Sequence, residues 1–358
     1  MIANKSGRSI RALLAATAMT TLAIGASAPS AFAQTAPAPA ADTASVGEVV
    51  VTARRRAEDV QKVPVAVSVV SGQDAVAKNL NDIGDISASV PSVDFRTGAS
   101  NKDRTVFIRG IGTISTSPGV EPSVSMVIDG VVYGRPGMAT LDLLDLDHIE
   151  VLQGPQGTLF GKNASAGVVN VVTQNPTDQF HAYVEGSAFE GDEFRLKAGV
   201  SGPIIPGKLD GLIAGFTSDY KGNVLDLRDG KDENGYHHNG VRAKFVATPT
   251  DNLRLNLSAD YTDSTDSAST GVFTSASQTA YPTNVVSTNA PLANLLSSVG
   301  ITPSADNKTI DNSFPTSVHD KNGGVSLQAT PENFFAAENQ HDCTLTLAFG
   351  LNAQRSQD

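Results

Sequence analysis

The chain has 358 residues, of which 40% are hydrophobic and 6% aromatic, and it contains no tryptophan and one cysteine, Cys343. Its formal net charge of −11 argues against a nucleic-acid partner, because an acidic surface repels a phosphate backbone. A lone cysteine cannot form an internal disulfide, and the six histidines are scattered, so no cofactor or metal site is expected. His237 and His238 are adjacent, but neighbours on an extended chain point to opposite faces.

The first 33 residues have the pattern of a secretory signal peptide. A basic start between Lys5 and Arg11 precedes an Ala/Leu-rich run at 12–26 and a small-x-small cleavage site, Ala31-Phe32-Ala33. The alternative is a retained anchor, for which the apolar run is short, because a spanning helix needs about 20 apolar residues. The mature chain is expected to be exported with a charge of −14, since the leader holds three basic and no acidic residues.

Residues 34–62 are predicted to form a flexible tether. The segment QTAPAPAADTA at 34–44 is rich in alanine and proline and favours an extended, mobile chain. A short β-prone run follows it, Glu48-Val49-Val50-Val51-Thr52-Ala53. Such a run can add a strand to the sheet edge of a partner, or it can be an ordinary first strand of the next domain. Composition alone leaves both interpretations open.

Residues 63–179 are predicted to form a compact α+β domain. Strands are expected at 63–70, 105–111, 123–133, 148–152 and 166–173, and short helices at 73–80 and near 82–89. Ser71 can cap the first helix. Asp129-Gly130 lies between two apolar runs and is a strong signal for a β-hairpin.

The segment IEVLQGPQGTLFGKN at 149–163 raises the question of a phosphate-binding loop. Such a loop needs four residues between its first glycine and the Gly-Lys pair, and then a Ser or Thr that holds magnesium. Three residues separate Gly157 from Gly161, and Asn163 takes the place of the hydroxyl residue. The nucleotide interpretation therefore fails, and the glycines are assigned to backbone geometry. The structural glycines are Gly110, Gly130, Gly154, Gly157, Gly161 and Gly167.

From residue 180 onward, apolar and polar residues alternate over strand-length segments. In 252–261 the apolar residues Leu253, Leu255, Leu257, Ala259 and Tyr261 fall on one face, and 193–200 and 240–248 alternate in the same way. This pattern is typical of a transmembrane barrel, but a soluble sandwich gives the same alternation. The long polar stretch 262–323, with a short helix expected at 291–299, is ordinary for an outer loop of a barrel.

Three motifs in a fixed order, VFIRGIG at 106–112, VIDGVVYGR at 127–135 and HIEVLQGPQGTLFGKNASAGVVNVVTQNP at 148–176, resemble the TonB-dependent outer-membrane receptors. The resemblance extends over about residues 46–264. It implies an α+β plug domain followed by antiparallel transmembrane-type β-barrel strands, which together form an incomplete barrel here. It also implies a TonB box at Glu48–Ala53, which pairs with periplasmic TonB. The expected protein is a receptor in contact with outer-membrane lipid and is not an enzyme, since no nucleophile–base or paired-carboxylate motif is present.

The resemblance assigns roles to two charged residues. Arg109 resembles the family's plug arginine that meets acidic residues of the barrel wall, and a buried guanidinium needs such a partner. The alternative for Arg109 is a solvated strand residue. Glu150 is a second candidate for plug–barrel ion pairing. Substrate contacts are expected from apical loops at 98–103 and 114–121.

The chain is expected to be an N-terminal receptor fragment. Residues 180–358 supply about five to seven strands at roughly 10 residues each, against about 22 in the family's barrel. The chain also ends FGLNAQRSQD, without the family's terminal aromatic. The expected function is energised uptake of a scarce ligand, most often a ferric siderophore in this family, by a receptor that this fragment cannot form alone. The alternative is a soluble periplasmic binding or decoy protein that retains only TonB or ligand binding.

Overall fold

The computed structural model describes residues 50–52, 58–96, 104–114, 120–134, 143–267, 270–276, 292–312, 317–331 and 345–357. Several predicted features lie outside these residues: the signal peptide, most of the tether, Glu48, Val49, Ala53, the apical loop 98–103 and Cys343. All described residues belong to one compact unit that begins at Glu48.

The described residues are dominated by strands. In chain order the strands are β1 (Val50–Val51), β2 (Glu58–Asp59), β3 (Ala66–Ser71), β4 (Val93–Arg96), β5 (Thr105–Ile108), β6 (Val124–Ile128), β7 (Val131–Tyr133), β8 (Leu146–Gln153), β9 (Gly167–Thr173), β10 (His181–Phe189), β11 (Glu193–Ile205), β12 (Leu209–Tyr220), β13 (Val224–Asp226), β14 (Asp232–Glu233), β15 (Tyr236–Thr250), β16 (Leu253–Ser267), β17 (Thr309–Ile310), β18 (Ser317–Pro331) and β19 (Leu345–Gln357). The helices are α1 (Gly72–Ala77), α2 (Gly157–Phe160) and α3 (Leu292–Ser298), with a 3₁₀ turn at Asp85–Ala88.

The predicted plug domain is built on a five-stranded sheet in the order β3-β8-β9-β6-β7. β9 pairs antiparallel with β8 and parallel with β6, so the sheet is mixed. Its central strands are buried on both faces, because alternate residues belong to two different apolar clusters: Val151 and Val169 to one, Leu152 and Val168 to the other. A near-continuous apolar sequence such as that of β9 is typical of such a strand.

Two short elements of this domain follow local rules. Ser71 caps α1 as predicted, since its Oγ accepts a hydrogen bond from the Asp74 amide at 3.0 Å. The second expected helix is only a 3₁₀ turn, which ends before Pro91.

Two hairpin turns in the domain use a residue pair that ends in glycine. Asp129 and Gly130 have φ angles of 48° and 81°, and they join β6 to β7 as predicted. Arg109 and Gly110 have φ angles of 51° and 75° and form a similar turn, closed by two 3.0 Å hydrogen bonds between Ile108 and Ile111. The expected strand at 105–111 is therefore wrong beyond Ile108, because the chain reverses there.

The C-terminal half forms an open antiparallel sheet of seven strands in the order β10-β11-β12-β15-β16-β18-β19. Its two faces differ as the alternation predicted: Leu257 and Tyr261 are exposed, whereas their neighbour Ser258 is buried. The buried face covers the plug domain. The predicted fold class, an α+β domain followed by antiparallel strands of an incomplete barrel, is confirmed.

The long loop between β16 and β18 is shorter than the predicted stretch 262–323, because both strands continue further than expected. Thr262 still pairs with Asn322, and Ser267 with Ser317. These strand ends carry polar residues on both faces, so the apolar–polar period that marks a strand in sequence is lost there. The loop contains α3, close to the expected 291–299, and β17, which pairs in parallel with β13 of the preceding loop.

None of the helices in the described part of the chain has the length and apolar composition of a membrane-spanning helix.

Candidate functional site

The described part of the predicted TonB box, Val50–Thr52, lies against the plug domain. Val50 and Val51 form β1 and pair antiparallel with Asp59 and Glu58 of β2. Val50 is 49% exposed, whereas Val51 is 0% exposed and belongs to the buried cluster on one face of the plug sheet. The β-prone sequence thus forms a strand within its own chain.

The glycine-rich loop after β8 supplies part of the surface on which Val51 packs. Phe160, at the end of α2, belongs to the same buried cluster as Val51 and Leu152. The loop is closed by backbone hydrogen bonds from Gly154 to Ala166 at 3.0 Å and from Gln156 to Ala164 at 2.8 Å. The glycine-rich loop after β8 therefore forms part of the apolar surface against which the side chain of Val51 packs. We call Val50–Thr52 the box segment.

Thr52 is held by a buried carboxylate. The Thr52 amide and its Oγ1 both donate to Glu150 Oε1, the hydroxyl at 3.0 Å. Asn170 stands directly opposite Glu150 on β9, and its Nδ2 donates to Glu150 Oε2 at 2.9 Å and to Thr52 Oγ1 at 3.2 Å. We call Glu150, with its partners Thr52, Asn170 and His148, the Glu150 clasp.

His148 completes the clasp from the same strand. Its Nε2 lies 2.9 Å from Glu150 Oε1 and its Nδ1 lies 2.5 Å from Asp147 Oδ2, so both ring nitrogens face carboxylates. Burial alone lowers the pKa of His148, but the two carboxylates outweigh it and raise the pKa above its usual value. Burial likewise pushes the pKa of Glu150 upward, and the hydrogen bonds from His148, Thr52 and Asn170 outweigh it and lower the pKa. The arrangement therefore favours an ionised Glu150 beside a protonated His148.

The structure gives Glu150 a different place from the one predicted. The carboxyl is 0% exposed, and its hydrogen bonds go to Thr52, His148 and Asn170, all within the plug domain and the box segment. The reason is its position on β8, a central strand of the plug sheet, whose side chains face the domain's own clusters. The sequence offered no signal for this role.

The pairing of Arg109 with acidic residues of the barrel wall stays a prediction. Arg109 sits in the turn after β5 and is exposed, and it forms no ion pair with the residues that the structure describes. The positive φ of Arg109 and Gly110 places the side chain at the tip of a tight turn rather than along a strand.

In the contacts between the plug and the seven-stranded sheet, the sheet supplies the cations and the plug supplies the acceptors. The resemblance had implied the reverse, a plug arginine that meets acidic residues of the wall. Lys244, which is 1% exposed, lies 2.9 Å from Asp129 Oδ2 and donates to the Thr173 carbonyl at 3.1 Å. Arg242 Nη1 donates to the Leu144 carbonyl at 2.8 Å. The sequence signal was the alternation of these basic residues with apolar ones in β15.

A second group of contacts joins the segment before β8 to the first strands of the sheet. Lys197 Nζ donates to the Leu143 carbonyl at 2.9 Å, and Tyr183 Oη donates to Asp145 Oδ1. Burial raises the pKa of Asp145, despite the lowering by the Tyr183 hydrogen bond and by nearby cations such as Arg242. The contacts to Leu143, Leu144, Asp145, Asp129 and Thr173 together bind one side of the plug to the sheet.

The predicted structural glycines separate into two groups. Positive φ angles occur at Gly110, Gly130, Gly154, Gly161 and Gly167. At Gly167 a Cβ would also lie 2.4 Å from the Leu152 carbonyl oxygen, so the two backbones approach too closely for a side chain. Gly157 differs, because it begins α2 without a positive φ and a Cβ there would meet open space.

The outer face of the seven-stranded sheet is apolar and uncovered. Its exposed large side chains include Phe194, Leu196, Val200, Ile213, Val241, Leu257, Tyr261, Val325, Leu327, Leu347 and Phe349. Soluble monomers rarely expose a contiguous apolar patch of this extent, and a sandwich would bury such a face against a second sheet. The face therefore fits lipid rather than water.

The comparisons with known proteins agree with this geometry. The family model of the TonB-dependent Receptor Plug Domain matches residues 59–168. The Pesticin receptor of Yersinia pestis is 32% identical over 193 residues, which cover 51% of this chain and 26% of the relative. The Iron-regulated outer membrane virulence protein of Vibrio cholerae serotype O1 is 31% identical over 191 residues, which cover 49% of this chain and 27% of the relative. The chain thus spans about a quarter of the length of these curated relatives.

Solved structures show the same fold. The ferric yersiniabactin uptake receptor FyuA from Yersinia pestis superposes with a TM-score of 0.62 at 21% identity, covering 82% of this chain and 41% of that one. BauA, the ferric preacinetobactin receptor from Acinetobacter baumannii, gives a TM-score of 0.60 at 17% identity and covers 87% and 41%. The Pesticin receptor, FyuA and BauA are all named as receptors. Residues 59–168 thus match the plug domain of TonB-dependent receptors, and the chain is similar in sequence and in fold to outer-membrane receptors of that kind.

Proposed function

We propose that the protein acts in TonB-dependent uptake of a scarce ligand across the outer membrane, with a ferric siderophore as the ligand class. TonB would bind the predicted TonB box Glu48–Ala53 from the periplasm by adding a strand to its own sheet. The observation that carries the proposal is the docked strand Val50–Val51, which lies at the leading end of a plug tied to a lipid-compatible sheet.

The ligand class rests on the relatives. The structural neighbours include a ferric yersiniabactin uptake receptor and a ferric preacinetobactin receptor, and one curated relative is named a probable TonB-dependent siderophore receptor. A vitamin B12 transporter is also among the relatives, and direct binding assays with a ferric siderophore and with vitamin B12 distinguish these two ligand classes.

Transport requires a closed wall. The described sheet has seven strands and two free edges, and an open edge in lipid leaves backbone groups without hydrogen bonds. A lumen wide enough to need a plug has about 22 strands. Uptake is therefore tested in a receptor in which this chain is joined to the remaining barrel strands of a relative.

The test is Val50→Pro in that receptor. Proline removes the backbone N–H and disrupts strand pairing, so energised uptake of labelled ferric siderophore should be lost while ligand binding at the cell surface is retained. Val50→Thr is the matched control, because it is also β-branched and keeps the N–H. Unchanged uptake in Val50→Pro would show that the box assignment is incorrect.

The open sheet supports a second candidate function, a periplasmic protein that retains only ligand or TonB binding. Cell fractionation separates the two. A heat-modifiable band in the outer-membrane fraction supports the receptor, and soluble protein in the periplasmic fraction supports the second candidate.

A further inference from the structure

In the described residues 50–52, the box segment contacts the plug through the pairing with β2, the side chain of Val51 and the Glu150 clasp. β1 and β2 pair through two residues each, and an isolated two-stranded pair is only marginally stable in water. Burial of the Val51 side chain adds an apolar contact. A polar attachment is made by Thr52, whose amide and hydroxyl both donate to one oxygen of Glu150.

We propose that Glu150 is the positioning residue that keeps the box segment docked, and that TonB engages the box only when the Glu150 clasp opens. The docking half of this proposal stands on the geometry alone, and the TonB half rests on the proposed function. In this arrangement Asn170 and His148 hold the carboxylate in place, and Thr52 is the residue that it holds.

Docking and strand addition compete for backbone groups of the box segment. In the docked form β2 occupies one backbone edge of Val50 and Val51, so a partner sheet that adds the box through that edge must displace β2. The Thr52 amide is also engaged, by Glu150. The apparent affinity for TonB is therefore reduced by the fraction of molecules in which the box is docked.

The clasp requires a carboxylate. Among the described residues, the groups within hydrogen-bond distance of Glu150 are donors: the Thr52 amide, the Thr52 hydroxyl, Asn170 Nδ2 and, in the protonated ring, His148 Nε2. A glutamine would bring its own NH₂ donors into this ring of donors and would satisfy only one side of it. Loss of the charge also weakens each remaining bond, because hydrogen bonds to charged groups are about twice as strong as neutral ones.

The experiment measures hydrogen exchange of peptides covering Val50–Thr52 in the full chain and in Glu150→Gln. Exchange should be about tenfold faster or more in the variant, because at least one charge-assisted hydrogen bond is lost. The matched control is Glu121→Gln, which removes an exposed ion pair with Lys162 elsewhere on the plug. Amides of Val151 and Val169 in the sheet core should keep their protection in both variants.

A second variant tests the same contact without changing a residue of the five-stranded sheet. Thr52→Val keeps the side-chain shape and the amide hydrogen bond but removes the hydroxyl that binds Glu150 and Asn170. It lies on the box segment and not in the five-stranded sheet, so it should speed exchange of the box peptides severalfold with no effect on the core. Box exchange that is unchanged in both Glu150→Gln and Thr52→Val overturns the proposal.

Binding of a purified periplasmic domain of TonB then tests the effect of docking on TonB separately from docking itself. The affinity should rise in Glu150→Gln by about the same factor as the exchange rate, which mere structural damage would not produce. Faster exchange with no TonB binding to any variant would overturn the proposed function and leave the clasp standing. Slow exchange with tight TonB binding would overturn the clasp and leave the proposed function standing.

Discussion

Asp129→Asn tests how the plug is held to the seven-stranded sheet. Lys244 Nζ is buried between Asp129 Oδ2, at 2.9 Å, and the Thr173 carbonyl oxygen, at 3.1 Å. Asp129 is also the first turn residue of the β6–β7 hairpin, with φ of 48°. Asparagine tolerates this φ and retains one oxygen, so the substitution removes the charge and leaves the turn intact.

The expected loss of stability follows from the burial of Lys244. Removing one partner of a buried ion pair costs about 3–5 kcal/mol, because the other charge is left uncompensated. The Thr173 carbonyl still accepts one hydrogen bond from Lys244, which favours the lower end, ~3 kcal/mol. Since 1.4 kcal/mol is a factor of ten, local opening of the hairpin should become about 100-fold more frequent.

Hydrogen exchange of peptides covering β6, β7 and β15 measures this opening. Glu121→Gln is the control, because an exposed ion pair contributes at most about 1 kcal/mol, or roughly fivefold in exchange. Adding Lys244→Met to Asp129→Asn should restore much of the protection, since it removes the unpaired charge. Exchange in Asp129→Asn that is no faster than in the control would refute the conclusion that this pair helps to hold the plug against the sheet.

Two further predictions concern the plug. Burial raises the pKa of Glu150, but the hydrogen bonds from His148, Thr52 and Asn170 outweigh it and lower the pKa. The two from Thr52 therefore stabilise the docked box above pH 4.5, and this contribution is lost as the pH falls through the lowered value. Exchange of the box peptides, corrected for the intrinsic rate, should therefore become faster as the pH falls below about 4.5, and a flat profile would contradict the contact between Thr52 and Glu150. Gly167→Ala should destabilise the plug by about 1–3 kcal/mol in urea unfolding, because its Cβ would overlap the Leu152 carbonyl oxygen. Gly157→Ala is the matched control and should be neutral or slightly stabilising, so equal effects of the two would show that close backbone approach is not the cause.

The sequence by itself determined the features that depend on neighbouring residues. Asp129-Gly130 predicts its hairpin because few residue pairs accept two successive positive φ angles. The two-residue period of β16 predicts which side chains face outward, because a strand alternates its faces whatever it packs against. The ordered glycine motifs were enough to predict a plug domain, since they record its backbone requirements, and the family model matches residues 59–168.

Only the tertiary structure decided which polar groups meet. Thr52 and Glu150 are 98 residues apart, and Lys244 reaches the carbonyl of Thr173 across 71 residues. The sequence indicates only that a charged residue will need a partner if it is buried. The position of its strand in the fold then decides whether that partner lies in the box segment, in the plug or in the seven-stranded sheet. For this reason the sequence made Glu150 a candidate for plug–barrel ion pairing, whereas its partners in the structure are those of the clasp, and the cations that contact the plug come from the seven-stranded sheet.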